Sequence, residues 1–141
     1  MLDGKLMRLE PIPLTHIDAA WADGASCLSE ACDVSGGEIT GGQLKMILSR
    51  GERSLLKLIM DSKCVGWGVV RVDQLPNMRV LFITDLVAHN GGFEQFFEAI
   101  KQLARDLGCS KVRCAAGAVQ ARLYRMKCGF KPVYSILEVD S

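Results

Sequence analysis

Lys111-Val-Arg-Cys-Ala-Ala116, followed after one glycine by Ala118-Val-Gln-Ala-Arg-Leu-Tyr-Arg-Met-Lys-Cys-Gly-Phe130, is the stretch that decides the fold. The first run reads as a strand and the second as a short helix. Val119, Leu123 and Met126 recur at helical spacing, which predicts that they share one face. Gly129 supplies the left-handed residue that closes a helix, and Phe130 and Pro132 lead the chain into one or two further strands.

Upstream lies the clearest helix of the chain. Between Gly91-Gly92 and Gly108, the residues Phe93, Phe96, Phe97, Ile100, Leu103, Ala104 and Leu107 form an apolar stripe. Glu94, Glu98, Lys101 and Arg105 fall on the other face. Acidic residues lead and basic residues come after them, as the helix dipole favours. Before it, Ser54 to Asp61, Cys64 to Asp73 and Met78 to Ala88 are rich in branched apolar residues and are separated by short polar turns, so they read as antiparallel strands. The amino-terminal part predicts a strand at Leu6 to Pro11. A helix capped by Thr15 is expected to run toward Cys32, and a second helix from near Thr40 to Gly51. The strand-helix-strand unit from Met78 to Ala116 implies a parallel crossover. The expected fold is therefore α/β (α+β): a mixed, mostly antiparallel sheet of six to seven strands with helices on both faces, in one domain spanning residues 1–141.

Seventeen basic and sixteen acidic residues leave a formal net charge of +1, so no general field draws the chain to nucleic acid or to an anionic membrane. No apolar run approaches a bilayer span, and the amino terminus lacks a signal-like core. A soluble, cytoplasmic protein is expected. The six cysteines include no C-x-x-C pair. Cys27 with Cys32 and Cys109 with Cys114 would make a metal site only if the pairs met in space, so reduced core thiols and no metal are expected.

Three stretches resemble the GNAT superfamily of N-acetyltransferases. These are Val65-Gly-Trp-Gly-Val-Val70, Asp85-Leu-Val-Ala-His89, and Leu123-Tyr through Gly129-Phe130. The element order is similar as well. The resemblance implies an acyltransferase that uses acetyl-CoA, with Tyr124 protonating the departing thiolate. It implies that the backbone of Leu86, Val87 and Ala88 holds the pantetheine arm as an added strand would. Asp85, at the end of that strand, would act as a base or orient the amine. On the plain reading Tyr124 is a packed helix tyrosine and Asp85 a solvated strand-end carboxylate.

Several departures qualify the resemblance. The family carries Q/R-x-x-G-x-G/A at the next helix, whose bared amides cradle the pyrophosphate. Here the matching stretch is His89-Asn-Gly-Gly-Phe-Glu94, shorter by about a helical turn and a half. Asn90, Gly91 and Gly92 are left as the anion-binding candidates, alternatively a tight turn. Glu94 and Glu98 would also face the pyrophosphate with negative charge. Gly117 stands where the family often has an asparagine near the cofactor arm, and the family's acidic base falls near Phe82. Three functions are open: an N-acyltransferase acting on an amine of unspecified identity; a non-catalytic GNAT-like module, as in virus-encoded (phage) or regulatory proteins, that works by binding a protein partner; or another group-transfer chemistry such as nucleobase modification.

Overall fold

The computed structural model describes residues 6–33, 36–89 and 92–141. Its centre is a five-stranded sheet in the order β1-β2-β3-β4-β5, formed by Arg8–Pro11, Ser54–Met60, Lys63–Gln74, Arg79–Ala88 and Lys111–Cys114. The first three pairings are antiparallel and β4 with β5 is parallel, as a helical crossover requires. The turn between β2 and β3 places Asp61 and Ser62 at φ 51° and 63°. Both residues are left-handed, the twist that joins adjacent antiparallel strands through a two-residue loop.

Side-chain alternation sends the sheet's apolar residues to two faces. On one, Leu56, Leu58, Val70, Leu81 and Ile83 pack under helix α4, Phe93–Asp106, through its buried Phe96, Phe97, Ile100 and Ala104. On the other, Leu55, Trp67 and Val69 pack under α1, Ile17–Ala22, α2, Leu28–Cys32, and α3, Gly41–Ser49. Helix α5, Ala118–Cys128, joins the first face. Trp67, on β3, is thus a core residue between the sheet and the helices. Cys27 and Cys32 lie on the face opposite Cys109 and Cys114, so the cysteine pairs do not meet.

Several expectations are corrected. Among the described residues the six to seven strands are five, because residues 131–141 form no strand and are exposed throughout. A β-prone run becomes a strand only where it pairs with a neighbour's backbone groups, and among the described residues this run pairs with none. The helix expected from Thr15 to Cys32 is broken at Gly24, whose φ of 130° no right-handed helix accommodates, with 3-10 turns at Leu14–His16 and Ala25–Cys27. Val119 and Met126 do not face the core. They are 77% and 72% exposed, and the packed residues are Tyr124, Cys128 and Phe130. By contrast Thr40 does cap α3, accepting from the Gln43 N–H while the Gln43 side chain accepts from the Thr40 N–H.

Candidate functional site

The site is built where β4 and β5 part. β4 pairs with β5 only from Val80 to Ile83, the last pair being Ile83 with Cys114. Beyond it β5 ends, and among the described residues the stretch of β4 from Thr84 to Ala88 pairs with β3 alone. Thr84 is an inserted residue: Val69 pairs with Asp85 and Val70 with Ile83, so the ladder shifts between them. Such a bulge bends the strand and re-aims the side chains beyond it. Leu86 and Ala88 consequently face the α4 side with Ile83, while Val87 packs on the α1–α3 side. The half of β4 that runs past β5 thereby presents main-chain donors and acceptors along an open edge.

Tyr124 stands beside this parting. Its ring contacts Phe97 and Phe130 with centroids 4.9 and 5.9 Å away, and Phe93 at 5.8 Å. Burial pushes its phenol above the ordinary value of 10.0, and the Cys114 and Cys128 thiols add to that shift. Tyr124 and Cys114 pack against the same core cluster under α4. A phenol held this way keeps its proton at neutral pH and can donate it. Gly129 closes the helix at φ 74°, and the Phe130 N–H donates to the Tyr124 carbonyl at 3.3 Å.

Asp85 is buried rather than solvated, and its carboxylate is engaged on the opposite face. Thr84 Oγ1 donates to its Oδ2 at 2.8 Å, the Cys32 thiol donates to its Oδ1 at 3.8 Å, and Arg53 Nη1 approaches Oδ2 to 3.8 Å. Burial, followed by the neighbouring carboxylate, pushes the Cys32 thiol up to about 11. The cluster ties α2 to β4 across the sheet. Sequence reading missed Cys32, Arg53 and Thr84 because no spacing rule joins positions so far apart; only the adjacent Thr84 offered a local cue.

The start of α4 is less suited to an anion. The Gly92 N–H donates to the His89 carbonyl at 3.3 Å, closing a turn, and Glu94 puts a negative charge in the first helical turn. Asn90 and Gly91, the other candidates, lie outside the described residues. Gly117 is the N-cap residue of α5, in extended backbone and without a side-chain cap. The open edge of β4 therefore offers backbone hydrogen bonds to an extended ligand, whereas the first turn of α4 carries the negative side chain of Glu94. Among the described residues no cluster of His, Cys, Asp and Glu could hold a metal, and no helix is long and apolar enough to cross a membrane.

No protein-family model matches the sequence, and no curated protein matches it. Solved structures do. A possible acetyltransferase from Clostridium difficile 630 superposes with a TM-score of 0.68 at 14% identity, covering 97% of this chain and 99% of that one. The ribosomal-protein-alanine N-acetyltransferase from Brucella melitensis gives 0.67 at 14% identity over 96% and 99%. The aminoglycoside N-acetyltransferase AAC(6')-Iy, in complex with CoA, gives 0.64 at 13% identity over 100% and 99%. The chain has the GNAT fold, as its motifs imply.

Proposed function

We propose that this protein is an N-acyltransferase that moves an acyl group from an acyl-CoA thioester to an amine. The support is the parted pair of strands, with the open edge of β4 from Thr84 to Ala88 and Tyr124 standing beside it. The solved structures of the same fold include an acetyltransferase in complex with CoA. Acyl-CoA supplies the thioester. The backbone of Leu86, Val87 and Ala88 positions its arm by strand-like hydrogen bonds. Tyr124 holds a proton for the departing sulfur, and its aromatic neighbours fix the ring's orientation. Asp85, already engaged by Thr84, Cys32 and Arg53, serves to fix β4, so the amine arrives unprotonated without a carboxylate base.

Titration calorimetry and thermal shift with acetyl-CoA and with CoA test the donor site. A rise in melting temperature that saturates is expected, and no response at millimolar ligand would sink the proposal. In an acetyl-transfer assay across candidate amines, Tyr124→Phe is expected to keep binding and folding while lowering turnover by about 10²-fold or more.

A second reading, a non-catalytic GNAT-like module, is favoured by the start of α4, where Glu94 opposes a diphosphate and the Gly92 amide is already bonded. It predicts no response to CoA. The same titration separates the two.

A further inference from the structure

We infer that the cavity between the end of α4, the start of β5 and the end of α5 binds an amphipathic anion, a linear apolar chain that ends in one carboxylate. The cavity holds about 500 Å³, a size ordinary for small-ligand sites. Its floor is apolar: Phe97, Ile100 and Ala104 line it from α4, Val112 from β5, and Phe130 from the exit of α5. The three α4 residues are buried, and the Phe130 ring packs on Phe97 with centroids 4.8 Å apart. The core therefore fixes this floor before any ligand arrives, which keeps the ordering cost of binding low. Each CH2 laid on it leaves water and should tighten binding by about fourfold.

The rim sets the charge of the ligand. Lys101 and Arg105, one turn apart on α4, Lys111 and Arg113 on β5, and Lys131 beyond α5 all line the cavity, and none of the described acidic residues does. Lys101 is paired with Glu98 at 2.8 Å. The other four have no carboxylate partner among the described residues; Arg105 and Arg113 reach only neutral atoms, Gln102 Oε1 at 2.8 Å and Met78 Sδ at 3.6 Å. Positive charge thus gathers over an apolar floor, although the whole chain carries a net charge of only +1. An anion relieves that repulsion, whereas a cation adds to it. Val112 faces the α4 core, so side-chain alternation turns Lys111 and Arg113 toward the other face of the sheet and leaves the carboxylate to Arg105 and Lys131. The cavity is separate from the candidate donor site. It takes residues 109–113 of the chain around β5, whereas β4 and β5 part beyond Cys114, and Tyr124 is not among its walls.

Titration calorimetry on the full-length chain with straight-chain carboxylates from hexanoate to dodecanoate, each below its micelle concentration, reads the site directly. Affinity is expected to rise about fourfold per CH2 until the cavity is full and then to level off. Octylamine is expected to bind about tenfold more weakly than octanoate, and Arg105→Glu with Lys131→Glu to remove that preference. Both side chains are exposed, so the melting temperature should hold and a lost preference cannot be laid to unfolding. Cys128 lines the cavity, whereas Cys64 is exposed at the opposite end of the sheet. Decanoate should therefore slow maleimide alkylation of Cys128 and leave that of Cys64 unchanged, as read by mass spectrometry of the two peptides. No binding across the series, equal affinity for octanoate and octylamine, equal protection of both thiols, or displacement of octanoate by acetyl-CoA one for one would overturn the inference.

Discussion

The layer formed by α1 to α3 and the segment from Ala115 onward use the same kinds of apolar residue to opposite ends. In the first, Leu28, Leu44 and Leu48 are wholly buried against Leu55 and Val69. In the second no residue is buried, and Ile136, Leu137 and Val139 stand in solvent. Local hydrophobicity does not separate them. What does is a facing layer: the amino-terminal helices have a sheet beneath them, whereas the carboxy-terminal segment has only the last strand's edge nearby. The candidate donor site lies at the boundary, where α5 holds to the packed body through a few aromatic rings.

Removing the ring at the centre of that boundary should have the largest effect. Phe97 is buried and touches both Tyr124 and Phe130, at 4.9 and 4.8 Å. Phe97→Ala leaves a cavity and is expected to cost about 3–5 kcal/mol in urea unfolding. It should also release α5, read as hydrogen exchange at its amides quickening beyond the global loss. Exchange in α5 that quickened only in step with the rest would mean that other contacts hold the helix, and the contrast between the two regions would break.

How much of this was legible in the sequence tracks the same division. Strands β2 to β4, α4, β5 and the capped α3 could be read because alternation, helical spacing and turn residues are local signals. The glycine cap after α5 was local too. The packed face of α5 was not, because Val119 and Met126 satisfy the spacing rule yet meet no neighbour. Residues 131–141 read as strand for the same reason and lack the partner that would make them one. At the site, Tyr124 was found through a motif. The bulge at Thr84 and the burial of Asp85 by Cys32 and Arg53 depend on contacts between distant segments, which no window of sequence contains.

A smaller effect compares the faces through their thiols. Cys32 on one face and Cys114 on the other are each pushed up to about 11 from 9.0, in both cases mainly by burial. A thiol whose pKa is higher in the folded than in the unfolded state stabilises the fold fully below about pH 9. That stability is lost as pH rises toward 11, because the unfolded chain releases its proton first. For the buried Cys32 this amounts to about 2 kcal/mol; Cys114, half-buried, should give less. Urea midpoints measured from pH 8 to 11 should fall, and Cys32→Ala should flatten the fall more than Cys114→Ala. An equal flattening by both would show the two faces to be equally dry.

The smallest effects come from the two helix starts. Thr40 and Gln43 satisfy each other's backbone N–H at the start of α3, so Thr40→Ala should cost about 1 kcal/mol. At α5 the N-cap is Gly117, with no side chain to accept from the first turn, and its φ of −66° and ψ of 168° are open to any residue. A Cβ there would come no closer than 3.8 Å to a neighbour, the Gln120 Oε1. Gly117→Asn should therefore stabilise the protein by a few tenths of a kcal/mol, since glycine is already a tolerable cap. This substitution also puts an amide beside the parted strands. If the open edge of β4 holds an acyl-CoA arm, the same change should tighten CoA binding; if the edge takes no cofactor, it should raise stability alone. The two readouts are independent, so a stabilised variant with unaltered response to CoA would count against the donor site while leaving the capping role of residue 117 intact.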